Sequence, residues 1–168
     1  MITSTRQQHA VGSDRPPRRK AAVAAAAGFL GIAAFQAALA LGAPVGRAAW
    51  GGTHVQLPMA LRIASAVAVG VWALAALIVL GRAGFQLLPL PPAFLRRGTW
   101  TLVGVSVLAA LVNLASPSGW ERFGWGPVAL VLAVLCLAVA RPARRLAASG
   151  SGTTSRQTRT MPRPWRWS

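Results

Sequence analysis

Acidic side chains are almost missing from this chain: Asp14 and Glu121 stand against eighteen Lys and Arg. Histidine is nearly as scarce, with His9 and His54 alone and far apart. So few carboxylates and imidazoles allow no cluster with metal-ligand spacing and no Ser-His-Asp set, which argues against an enzyme and leaves no catalytic residue, no metal and no other cofactor to expect. The single cysteine, Cys136, excludes an intramolecular disulfide and a dithiol redox pair. It lies in an apolar run, where a free thiol behaves as a small hydrophobe. Lysine occurs once, at Lys20, so Arg supplies the other basic residues. Together with abundant Ala, Gly and Pro, this points to a GC-rich bacterial genome.

Charge is also missing from four long stretches, over residues 21–43, 63–81, 99–115 and 123–140. A soluble basic protein spreads its charge among polar residues, whereas here it gathers at the ends and joints. A bilayer core of about 30 Å needs roughly 20 helical residues, and backbone groups cannot stay unpaired in hydrocarbon. The expected fold is therefore an all-α membrane protein, four transmembrane helices in an antiparallel bundle. Residues 1–20 and 141–168, rich in Arg, Ser, Thr and Pro, are expected to be disordered basic tails. Pro44 should close the first span, while Pro58 and Pro127 sit where a missing N–H costs least. Gly98-Thr99 offers a cap for the third span, after a stiff LLPLPPAF connector.

The basic residues set the orientation. Fifteen fall in the two tails and the middle joint, and only Arg47, Arg62 and Arg122 fall in the other two loops. The positive-inside rule then puts both termini in the cytoplasm of a bacterium whose plasma membrane the chain crosses several times. A secretory, twin-arginine-like signal is the rival reading of RPPRRK and the apolar run after it. That run is about twice as long as such signals need and contains Gln36, which favours a retained first span. The tail ending PRPWRWS, with Trp165 and Trp167, could meet anionic inner-leaflet lipids or simply be solvated. Nucleic acid is not an expected partner for a chain anchored in the lipid bilayer.

The outer loops hold the least ordinary residues. Each sets a Trp beside Gly just before a Pro-initiated span, Trp50 with Pro58 and Trp125 with Pro127, as in a weak parallel duplication. Polar residues in the spans lean to the same side: Gln36, Ser65 and Asn113, with Ser106 nearer mid-membrane. Asn and Gln facing lipid are costly, so they should turn inward and hydrogen-bond across helices. With Glu121 they form a candidate ligand or partner site of Gln36, Trp50, Ser65, Asn113, Glu121 and Trp125. Glu121 itself is expected to clasp the two loops in an ion pair with Arg47, Arg62 or Arg122. His54 could join the site, though a lone loop His is more often solvated.

The stretches FQAALALGAPVGRAAWGG and NLASPSGWERFGWGPVALVLAVLC carry a resemblance. Over roughly residues 29–140 the chain resembles a family of small, uncharacterised bacterial four-span integral membrane proteins. The shared pattern includes Gly42, Pro44, Gly46, Trp50, Asn113, Ser116, Ser118, Glu121, Trp125 and Pro127. The resemblance implies four spans and lends no catalytic residues. The leading expectation is a structural or partner-binding membrane protein, with a homo-oligomer or another membrane protein as the partner. Small residues such as Ala27 with Gly31 and Ala66 with Gly70 would let helices pack closely, within one chain or between chains. The alternative is a small-solute transporter or channel component with an outward-facing polar pocket.

Overall fold

The computed structural model describes residues 15–141, and these form a bundle of four helices with no strand among them. Helix α1 spans Arg15–Ala40, α2 Met59–Arg82, α3 Pro92–Ala115 and α4 Gly126–Ala140. All four are long and apolar enough to cross a membrane, α4 counted together with the π-helical turn Glu121–Trp125 that leads into it. An even number of spans leaves both ends of the described chain on one side. The helices pack mainly as two antiparallel hairpins, α1 on α2 and α3 on α4, with α1 against α4 and α2 against α3 closing the ring more loosely.

Each helix shows more apolar surface outward than inward. Val67, Leu108, Leu111 and Val134 are 60–64% exposed, an apolar belt suited to lipid tails and unsuited to water. The inward positions near the end that carries the termini are small or well fitted. Ala25, Ala26, Phe29, Ala75, Ala76, Val79 and Cys136 form the core, and Phe29 stacks on Trp72 with ring centroids 5.6 Å apart. Glycines let large neighbours approach: a Cβ on Gly28 would lie 2.8 Å from Leu132, and one on Gly81 would lie 2.9 Å from Leu95. The expected small-residue pairs play no such part within the bundle. Ala27, Gly31, Ala66 and Gly70 all lie on exposed faces.

Both helix ends of the first hairpin close in the same way. Gly42 (φ +93°) and Gly84 (φ +90°) take the left-handed conformation that stops a helix. The Ala43 and Gly42 amides then donate back to Ala38 and Leu39, and the Phe85 and Gly84 amides to Leu80 and Gly81. The first helix thus ends at Ala40, four residues before Pro44, and is capped by Gly42.

Two other boundaries differ from expectation. Helix α1 begins at Arg15, within the stretch expected to be a disordered tail. Pro16 and Pro17 are tolerated in a first turn, Arg18 donates to the Arg82 carbonyl at 2.9 Å, and the Arg19 guanidinium lies 4.6 Å over the Phe85 ring. Residues 1–14 and 142–168, which hold most of the two tails, lie outside the described residues. Helix α3 begins at Pro92, so the LLPLPPAF connector ends inside it and Thr99 caps nothing. Thr99 sits in the second turn, buried, with its hydroxyl donating to the Leu95 carbonyl at 2.7 Å. Arg96 and Arg97 ride exposed on the first turns of α3, where long side chains can reach the membrane surface.

Candidate functional site

The hairpins meet tightly at the end that carries the two termini of the described chain and part at the opposite end. A cavity of about 400 Å³ opens between them there, walled by all four helices and roofed by the α1–α2 and α3–α4 loops. Its floor is Trp72, seated on Phe29, with Leu132 beside it. Ile32 and Phe35 of α1 and Ala129 of α4 form the apolar walls. Gln36, Asn113, Glu121, Trp50 and Trp125 bring polar atoms to the upper part, and Ser106 brings one lower down. The cavity is not sealed, since Trp50, Val112 and Val128 line it and are also exposed.

The roof is built around Glu121. The loop over residues 41–58 folds into two 3₁₀ turns, Gly46–Ala48 and Trp50–Gly52. In the second, Trp50 has φ +52°, a left-handed conformation that a bulky residue adopts only when its surroundings enforce it. Two bonds do so. The Trp50 indole N–H donates to the buried Ser65 hydroxyl at 3.3 Å, and the next amide, of Gly51, donates to Glu121 Oε1 at 2.7 Å. The other carboxylate oxygen accepts from the Ser116 hydroxyl, whose oxygen in turn accepts the Ser118 amide at 3.1 Å. One carboxylate therefore joins the loop of the first hairpin to the turn of the second. A second tie runs beside it: the Trp125 indole N–H donates to the Ala48 carbonyl at 2.6 Å while its ring packs on Phe35 at 5.0 Å.

The expected clasp between the loops is thus present, but its chemistry is different. Glu121 takes a backbone amide and a hydroxyl as its partners, and it is in no ion pair with Arg47, Arg62 or Arg122 among the described residues. Arg62 donates from Nε to the Ala40 carbonyl at 3.0 Å and lies along Gly42, while Arg47 and Arg122 are exposed. The turn geometry explains the difference. Ser116 and Gly51 donors already point at the carboxylate, so a long guanidinium is not needed to hold it.

Of the six residues named as a candidate site, Gln36, Trp50, Asn113, Glu121 and Trp125 line the cavity. Ser65 does not; it is fully buried behind Trp50 and holds that indole. Asn113 does not reach across helices as expected, because its Nδ2 donates to the Ala109 carbonyl of its own helix at 2.7 Å. Gln36 keeps a buried Oε1 with no partner. His54 is exposed, paired with the Thr53 hydroxyl at 2.6 Å, and lies away from the cavity. Trp72 and Phe35, its largest apolar walls, were missed, since an aromatic residue within an apolar run carries no sign of which way it faces. The two Trp-Gly loops meet over one cavity, yet one forms a left-handed turn and the other a π turn, so the apparent duplication does not extend to their backbones. No group of three or more metal-ligating side chains occurs among the described residues.

Gly46 supports the roof by steric fit. A Cβ there would lie 2.7 Å from the His54 carbonyl oxygen and 3.0 Å from that of Val55, both backbone atoms that cannot rotate away. Gly46→Ala should therefore shift the loop that carries Ala48 and Trp50 and lower stability by about 1–3 kcal/mol, as overpacking does. Thermal unfolding in detergent checks this, and an unchanged midpoint would mean that the loop can yield.

Comparison with protein-family models, curated proteins and solved structures finds no match to this chain.

Proposed function

We propose that this chain is a non-enzymatic, multi-pass protein of a bacterial plasma membrane that binds a small, largely apolar molecule in its outward-facing cavity. The observation that carries this reading is the cavity itself. Ligand sites are concave, about 300–1,000 Å³, mostly apolar, with a few convergent polar groups to fix orientation. The space between the hairpins has that size and that division, with aromatic and aliphatic walls below and Gln36, Asn113 and Glu121 above. A purely scaffolding bundle would gain more from filling this space, because voids forfeit packing energy. The polar end faces outward if the basic residues at the opposite end of the bundle, including Arg18, Arg82, Arg96 and Arg97, lie in the cytoplasm. On this reading the tails beyond residues 14 and 141 are cytoplasmic, and their Arg residues meet anionic inner-leaflet lipids.

Partner binding is a second reading, favoured by Trp120 and Phe123. They are 67% and 78% exposed on the turn above the cavity, where they could rest on the outer membrane surface or on another membrane protein.

Two measurements test the proposal. With Cys136 replaced by Ala and the exposed Arg122 by Cys, a membrane-impermeant thiol reagent should label intact cells at once. Labelling only after the cells are opened would invert the topology. For the pocket, the protein in lipid nanodiscs is titrated with N,N-dimethylbenzylamine and with isobutylbenzene, its hydrocarbon counterpart. At least one of them should change the tryptophan fluorescence, and Ala109→Phe, which fills the cavity, should abolish the response. A lack of response to both in the unsubstituted protein would sink the pocket reading.

A further inference from the structure

Eighteen basic residues occur in this chain, yet among the described residues none lines the cavity, and the one charged side chain in that lining is Glu121, one of only two acids in the sequence. From this we infer that the pocket selects an amphipathic organic cation, an alkyl- or arylammonium whose head lies under Glu121 and whose apolar body lies over Trp72. The inference rests on the pocket reading above and names the chemistry of its ligand.

Three observations converge on a positive head group. First, the Glu121 carboxylate has no cationic partner among the described residues. One amide and one hydroxyl use two of its roughly four acceptor positions, which leaves room for a further donor or cation. Second, four aromatic rings line the same space: Phe35, Trp50, Trp72 and Trp125. Indole faces attract ammonium groups, and that attraction strengthens when water is excluded. Third, the buried polar atom left without a partner there is again an acceptor. Gln36 Oε1 has no partner, and an N–H of an ammonium head would supply one. Asn113 already directs its amide nitrogen to Ala109, so its carboxamide offers the site an oxygen more readily than a donor.

An anionic head group meets the opposite conditions. It would face the Glu121 carboxylate across a space of low dielectric, with no Arg or Lys among the described lining residues to offset the repulsion. A wholly neutral hydrocarbon would fill the walls and leave the Gln36 acceptor unpaired. Charge complementarity therefore favours the cation, while the apolar floor excludes a strongly hydrated one such as a metal ion.

The two probes differ by one atom, a nitrogen in place of a carbon, and the amine is cationic at neutral pH. Both are titrated into the full-length protein in nanodiscs, with partition into protein-free discs subtracted. The dimethylbenzylammonium cation should bind at least tenfold more tightly than isobutylbenzene. Glu121→Gln should reduce that ratio to near one. Trp72→Leu, which leaves the Glu121 clasp untouched, should weaken the cation more than the hydrocarbon and serves if the Glu121 variant does not fold. Equal affinities, or a tighter hydrocarbon, would overturn the cation inference and leave the pocket standing. Failure of both probes to bind would overturn the pocket and this inference together.

Discussion

Glu121→Ala should lower the stability of the folded bundle by about 2–3 kcal/mol, one of the largest losses from a single surface-loop change in this protein. The estimate follows from the two bonds that this carboxylate accepts, each of the charge-assisted kind worth roughly 1.5–3 kcal/mol in protected surroundings. The Gly51 bond is exposed, so the loss falls at or just below the bottom of the summed range of about 3–6 kcal/mol. For a chain of this length the change corresponds to a fall of roughly 5–10 °C in midpoint. Glu121→Gln should lose less, about 1 kcal/mol, because a carboxamide oxygen can still accept from Gly51. A sharper measure is local. Without the carboxylate, the left-handed turn at Trp50 loses one of its two restraints, so amide hydrogen exchange at Gly51 and Gly52 should accelerate far more than exchange in the helix cores. Pairing Glu121→Ala with Ser116→Ala adds a check on the mechanism, since residues sharing a bond are non-additive. If the two losses simply summed, the clasp would not be one unit.

The clasp shows which parts of the site were legible in the sequence. Absence of charge marks a membrane span directly, because the bilayer penalises charge wherever it lies along the helix. For this reason all four spans could be read, and the sidedness of Gln36 and Asn113 followed from counting residues from the span ends. The errors at the starts of α1 and α3 share one cause. Arg18, Arg19, Arg96 and Arg97 and the nearby prolines resemble linkers by composition, yet proline suits a first turn and Arg can reach the headgroups from within a helix. Composition also misled on the partner of Glu121. Three Arg residues near that end, Arg47 and Arg122 in the loops and Arg62 in the first turn of α2, are visible in the sequence as charges, whereas a backbone amide turned outward by a left-handed Trp50 is not visible at all. The cavity was legible by its polar rim and hidden in its apolar floor, since Trp72 is one apolar residue among many in α2 until Phe29 is seen beneath it.

That floor carries the other large effect. Phe29 is fully buried, stacked on Trp72, and sits where the inner core ends and the cavity begins. In a water-soluble core Phe→Ala costs about 3–5 kcal/mol, from lost transfer energy and from the void left behind. Here the first part nearly vanishes, because a helix leaving the bundle passes into lipid tails as apolar as its former neighbours. Packing loss remains, so Phe29→Ala should cost roughly 2 kcal/mol and should loosen Trp72 as well. The informative comparison is Leu111→Ala, at a position 61% exposed on the outer face of α3. In a lone bundle Leu111 trades one apolar neighbour for another when the helices separate, and the substitution should be nearly neutral. Unfolding in mixed micelles, followed by tryptophan fluorescence, would measure both variants. If Leu111→Ala proved as costly as Phe29→Ala, its face must be covered by protein in the native state, and a second copy of the chain would be the first partner to look for. A neutral Leu111 beside a costly Phe29 would instead mean that the bundle meets lipid on that face, with its packing energy concentrated beneath the pocket.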